Sequence, residues 1–157
     1  MDTQIIKTKL NIPQIHPNLV SRLRLSDQIE AGVQGGNKLI LVAAPAGFGK
    51  TTTVSTWVHQ KNRKVAWLSL EESDNEAALF LTYLLASIRT VWPDFAEDAF
   101  AALTSPPSAP VSTLLSTIVN ELTELDETLV LILDGRHVIT SQEIHEPISF
   151  LLEHQPQ

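Results

Sequence analysis

Cysteine is absent from all 157 residues, which excludes disulfides and thiolate metal sites and suits a reducing, cytoplasmic setting. Long apolar runs are also missing. The longest, Leu39 to Ala44, is far short of the roughly 20 residues that span a bilayer, so no membrane partner is expected. The opening residues Met1 to Lys7 lack the apolar core of a secretory signal. Positive charge is scarce: 11 Lys and Arg stand against 18 Asp and Glu, a formal net charge of −7. Nucleic-acid backbones reward clustered Lys and Arg, so direct DNA binding by this segment is not expected. The two basic groupings, Arg22/Arg24 and Lys61/Arg63/Lys64, read as solvated surface.

Against these absences stands one informative run, Leu39-Ile40-Leu41-Val42-Ala43-Ala44-Pro45-Ala46-Gly47-Phe48-Gly49-Lys50-Thr51-Thr52. An apolar strand pattern breaks into a Gly/Ala/Pro loop and ends in Gly-Lys-Thr at a helix start. This is the P-loop arrangement, with Ala44 where the pattern usually has its first glycine. Consecutive backbone N–H groups and a helix N-terminus can surround a polyphosphate. Gly47 and Gly49 supply the positive φ such a loop needs. Lys50 brings a mobile charge to the β- and γ-phosphates, and the Thr51 hydroxyl suits a Mg²⁺ ion. The nucleotide-binding set is therefore Ala46, Gly47, Phe48, Gly49, Lys50, Thr51 and Thr52, with ATP or ADP and Mg²⁺ as cofactors. A chance Gly-Lys-Thr in a strand–helix turn is the bland reading; the apolar run before it and the helical pattern after it argue against that.

Periodicity predicts helices over 21–32, 50–60, 76–91, 111–122 and 141–154, and a shorter one within 94–104. Three apolar runs predict strands at 39–43, 65–70 and 129–133. Residues 71–75 form an acidic loop ending in an N-cap for the next helix, and 105–110 form a Pro-rich linker. The order divides the chain into an N-terminal segment and helix, 1–37, and a P-loop core, 38–157. Apolar strands alternating with amphipathic helices predict an α/β sandwich of three layers with a mainly parallel sheet.

The third strand delivers Asp134 at its carboxyl end. In P-loop NTPases a carboxylate there holds Mg²⁺, which prefers oxygen ligands opposite the phosphates. Thr51 and Asp134 are thus the expected metal residues. His137 in the following loop reads as a structural hydrogen-bonding group rather than a base, and no residue is assigned as catalytic.

Taken together, Thr8-Lys9-Leu10, Val20-Ser21-Arg22, the loop 44–52, Ala66-Trp67-Leu68-Ser69-Leu70 with Asp74-Asn75, Leu133-Asp134-Gly135-Arg136-His137 and the segment Ile144 to Pro156 resemble the ATPase domain of MalT-like regulators. These are large bacterial LuxR-family transcription activators of the STAND class of P-loop NTPases. The resemblance runs in order along nearly the whole chain. It implies an ATP-dependent switch, with an ADP-bound resting form exchanging to an ATP-bound oligomer. By analogy it places Arg22 near the base or ribose.

Two departures qualify what the resemblance implies. The family usually shows two consecutive acids after the third strand, then an aromatic residue and His; here Gly135 and Arg136 replace the second acid and the aromatic. The second acid orients the attacking water in related NTPases. Weak or absent hydrolysis is therefore expected, and Gly135→Asp is expected to raise turnover if the rest of the site is assembled. The second departure is that the family continues into a further core strand, lying between the P-loop and Asp134 strands, and then into sensor and DNA-binding domains. Without that strand the sheet must close up, keep unpaired backbone, or borrow a strand. The expected partners are thus nucleotide and the downstream domains of a larger regulator, or a second copy through self-association. The alternatives to a nucleotide switch are an active P-loop ATPase or kinase, and a non-catalytic oligomerisation module with a vestigial loop.

Overall fold

The computed structural model describes residues 4–106 and 109–156. Pro107 and Ser108 of the expected linker lie outside the described residues, as do residues 1–3, Gln157 and the side chain of Arg136. The chain divides into two compact units. One is Ile12–Lys64; the other joins Val65–Pro156 to the described residues up to Asn11.

In the Ile12–Lys64 unit, helix α1 spans Leu23–Gln34 and α2 spans Lys50–Lys61. The two helices pack together, and Ile29, Trp57 and Val58 are buried. Helix α1 runs through Gly32, where a stop was expected, and the chain turns at Gly35 and Gly36, the latter at φ 72°. Helix α2 closes on Asn62 in the left-handed region, a conformation Asn tolerates better than most residues.

The strand expected at Leu39–Ala43 does not form. Leu39 and Leu41 are 64% and 78% exposed, and Ile40 and Val42 are 36% and 37% exposed. The backbone of this stretch makes no hydrogen bond to any described residue. An apolar run predisposes to a strand, but a strand exists only when a neighbour pairs with it, and no described segment does so.

The larger unit holds β1 (Val65–Ser69), α3 (Ala77–Arg89), α4 (Glu97–Thr104), α5 (Val111–Glu124), β2 (Val130–Asp134) and α6 (Gln142–His154). Strands β1 and β2 pair in parallel from Val65↔Val130 to Ser69↔Asp134. A parallel pair requires a long crossover, which α3 to α5 provide. The described residues thus form an α/β fold with a two-stranded parallel sheet and six helices, compatible with a P-loop sandwich lacking part of its sheet. The core is built on β1 and on α3, which is buried continuously from Phe80 to Ile88. Phe95, Leu114, Leu115, Ile118, Ile139 and Ile144 complete it. No described helix is long and apolar enough to cross a membrane.

Candidate functional site

The loop 44–52 lies wholly within the Ile12–Lys64 unit. After the exposed Leu39–Ala43 stretch the chain turns at Pro45, whose carbonyl accepts the Phe48 N–H at 3.3 Å. Gly47 and Gly49 adopt φ values of 84° and 75°, left-handed conformations that other residues resist. A Cβ built on Gly47 would meet no atom within 4 Å, so there is open space beside the loop there. Lys50 is the first residue of α2, and the Gly49 carbonyl accepts both the Thr53 N–H and its hydroxyl at 2.8 Å. Thr51 and Thr52 follow in the first turn, half-buried. The N-terminal end of α2, the positive end of its dipole, therefore adjoins the loop.

Two cations attend this loop. The Lys50 ammonium donates to the Ala44 carbonyl, folding back on the loop's own backbone. The Arg22 guanidinium, at the start of α1, donates to the Phe48 carbonyl at 2.9 Å. Its atoms lie 3.8–3.9 Å from where a Cβ on Gly49 would sit. Arg22 thus contacts the loop 44–52 directly. The positive φ at both glycines, the open space at Gly47, and two cations on the loop fit a polyphosphate.

A second polar cluster supports the two helices. Glu30, 9% exposed, accepts hydrogen bonds from Trp57 Nε1 and Gln34 Nε2 at 2.9 Å each, and from the Arg63 guanidinium. The Arg63 hydrogen bond is the main cause that lowers the Glu30 carboxyl pKa to about 2; burial opposes it and Trp57 and Gln34 assist. The same pairing raises the pKa of Arg63.

Asp134 belongs to the other unit. It ends β2, half-buried, and its carbonyl accepts the Leu70 N–H at 2.8 Å. Gly135 follows at φ 81°, and a Cβ there would lie 2.8 Å from the Leu70 carbonyl oxygen. A side chain at 135 therefore requires the packed backbone at Leu70 or Gly135 to shift.

The loop beyond is held by a residue whose role was misread. Asn75 was expected to cap α3, yet Glu76 occupies that N-cap. Asn75 instead accepts the Thr140 and Ser141 N–H groups at 2.9 Å each and donates to the carbonyls of Glu72 at 2.8 Å and Val138 at 3.1 Å. Its neighbour Asp74, 1% exposed, accepts the Lys9 ammonium at 2.7 Å on both oxygens. Lys9 is itself buried, 3.4 Å from Glu71 and 4.4 Å from the Tyr83 ring centre. Burial depresses the Lys9 pKa, but Asp74, Glu71 and Tyr83 outweigh it and leave the value raised. The spacing Glu71…Asp74 signals the local capping box that also forms. Nothing local signals Lys9 or the 138–141 loop.

Among the described residues no group of three or more His, Asp or Glu gathers to hold a metal by itself. Thr51 and Asp134 belong to different units, and each offers an oxygen donor of the type Mg²⁺ prefers.

No family model matches the chain. Among curated proteins it is similar to the HTH-type transcriptional regulator MalT of Yersinia pestis (strain Pestoides F), 35% identical over 153 residues. The HTH-type transcriptional regulator MalT of Yersinia enterocolitica serotype O:8 / biotype 1B is 37% identical over the same number of residues. Each match takes in 98% of this chain, which spans only 17% of the relative's length.

Proposed function

We propose that this chain, 35–37% identical to MalT regulators over 98% of its length, binds ATP or ADP with Mg²⁺ and serves as a nucleotide-dependent switch with little or no hydrolysis. The observation that carries this reading is the loop 44–52: two glycines at positive φ, open space at Gly47, and Lys50 at the head of α2. Backbone N–H groups from Ala46 to Thr52 and the Lys50 ammonium would hold the phosphates. The ammonium would exchange the Ala44 carbonyl for phosphate oxygen, a stronger acceptor. Thr51 and Asp134 would serve the metal, and bound Mg²⁺ would neutralise charge on the β- and γ-phosphate oxygens. Arg22 would add a second positive charge beside Phe48 and Gly49. Little hydrolysis is inferred because position 135 offers no carboxylate to orient water, and a side chain there would have to displace the Leu70 backbone.

The relatives are transcriptional regulators by name, and we extend to this chain the role of a cytoplasmic switch segment in such a regulator. DNA binding is assigned elsewhere, consistent with a net charge of −7. The partner we assign is a further part of that regulator, or a second copy, covering the exposed Leu39–Val42 stretch.

Calorimetric titration with ATP, with and without Mg²⁺, tests the central claim. Lys50→Ala should weaken triphosphate binding by well over tenfold, since losing a charge-assisted contact costs about 1.5–3 kcal/mol. Unchanged affinity in that variant would remove the reading. Robust Mg²⁺-dependent turnover by the unmodified chain would instead favour an active ATPase.

A further inference from the structure

We propose that Asn75 is a positioning residue for the Asp134 loop, and that Asp74 beside it ties this loop to the N-terminal segment. The inference rests on the proposed Mg²⁺ role of Asp134. The chain fixes Asp134 from two directions. Before it, β2 pairs with β1, and the Asp134 carbonyl takes the Leu70 N–H at 2.8 Å. After it the chain passes Gly135 and a 3-10 turn, Arg136–Val138, and then meets the Asn75 carboxamide. All four hydrogen-bonding places of that carboxamide are used, three of them on Val138, Thr140 and Ser141, and the fourth on Glu72. A loop carrying a metal carboxylate gains precision from such outer partners, because the ligand's aim depends on the backbone that carries it.

The partners lie 63–66 residues away in sequence, so the contact is tertiary and not local turn chemistry. Asp74 is locked by Lys9 on both oxygens and accepts the Glu71 N–H at 2.8 Å as well. Asn75 cannot shift without disturbing that buried pair. Ile139, between the bonded residues, is 3% exposed and anchors the same loop in the core. Two constraints, one polar and one apolar, therefore hold the segment following Gly135.

The test is ATP titration of the unmodified chain, Asn75→Ala and Asn75→Asp, each in Mg²⁺ and in EDTA, with amide hydrogen exchange followed at Thr140 and Ser141. Asn75→Ala should leave affinity in EDTA unchanged, reduce the Mg²⁺-dependent gain roughly tenfold, and speed exchange at both amides. Asn75→Asp keeps the acceptor oxygen for both amides but turns a carboxylate oxygen on the Glu72 and Val138 carbonyls, so it should keep part of the amide protection and lose part of the Mg²⁺ gain. Asn75→Ser replaces the alanine variant should that fail to fold, and the same losses are expected of it. A full Mg²⁺ gain in Asn75→Ala overturns the proposal, and so does an equal loss in EDTA and Mg²⁺, which would mark a merely structural residue. An unmodified chain that binds no ATP, or binds it without regard to Mg²⁺, removes the nucleotide reading itself. Retained binding with an indifferent Asn75 removes this inference alone.

Discussion

Replacing Gly135 by alanine places a methyl carbon 2.8 Å from the Leu70 carbonyl oxygen, at a residue held at φ 81°. Two costs add. A left-handed conformation costs a non-glycine residue about 1–2 kcal/mol, and relieving the overlap by moving packed backbone costs about 1–3 kcal/mol. Alanine also narrows the unfolded ensemble, which returns about 0.4–1 kcal/mol. The net loss is then about 1–5 kcal/mol, centred near 3, against a total stability of about 5–15 kcal/mol for a small domain. The atom met is a backbone oxygen beside the bond from Leu70 N–H to Asp134, so it has little freedom to retreat. With a urea m-value of about 2 kcal/mol/M, the unfolding midpoint should fall by roughly 0.5–2.5 M, centred near 1.5 M. Chemical denaturation followed by far-UV circular dichroism reads this directly. Gly135→Asp should fall at least as far and gain no turnover. A midpoint equal to that of the unmodified chain in either variant would show that the loop yields freely, and would refute the steric account of the missing acid.

Two further outcomes are expected. The Glu30 carboxyl has its pKa lowered from 4.5 to about 2, so its contribution to stability is present above pH 4.5 and is lost as pH falls through 2; the stability gap between the unmodified chain and Glu30→Gln should therefore shrink across that window, and a gap constant from neutral pH to pH 2 would contradict the pairing with Arg63. The exposed Leu39–Val42 stretch should become paired when the chain is extended into the next strand of the MalT-like pattern, raising the melting temperature; an unchanged melting temperature would show that this strand is not its partner.

How much of this was legible beforehand differs by element. The start of α2 at Lys50, the paired runs that became β1 and β2, and the long α3 all follow from apolar period and breakers close at hand. Leu39–Ala43 reads equally well as a strand, but pairing depends on a neighbour and not on the run itself. Lys9–Asp74, Glu30–Arg63 and Asn75 with the 138–141 loop join residues 33 to 66 apart, and no local pattern announces such partners. The turn over 44–49, with Gly47 and Gly49 at positive φ, was legible because it is made of neighbouring residues. Arg22 was legible as a residue to watch, but its contact with the Phe48 carbonyl was not. The absence of an acid at 135 was plain from the sequence, whereas the carbonyl standing where its side chain would go was not.

The chain leaves the larger unit after Asn11 and returns at Val65, and this detour dictates an order of events during synthesis. Lys9 emerges from the ribosome long before Asp74, and their contact closes a loop of 65 residues. Closing a flexible loop of that length costs roughly 4 kcal/mol of chain entropy, more than a single ion pair returns. The leading segment must therefore stay loose until β1 and α3 exist to receive it. By then the Ile12–Lys64 unit has been fully translated. A protease site placed at Lys9, which ends 4% exposed, would thus act as a clock for nascent chains, lost only when β1 and α3 have folded around it.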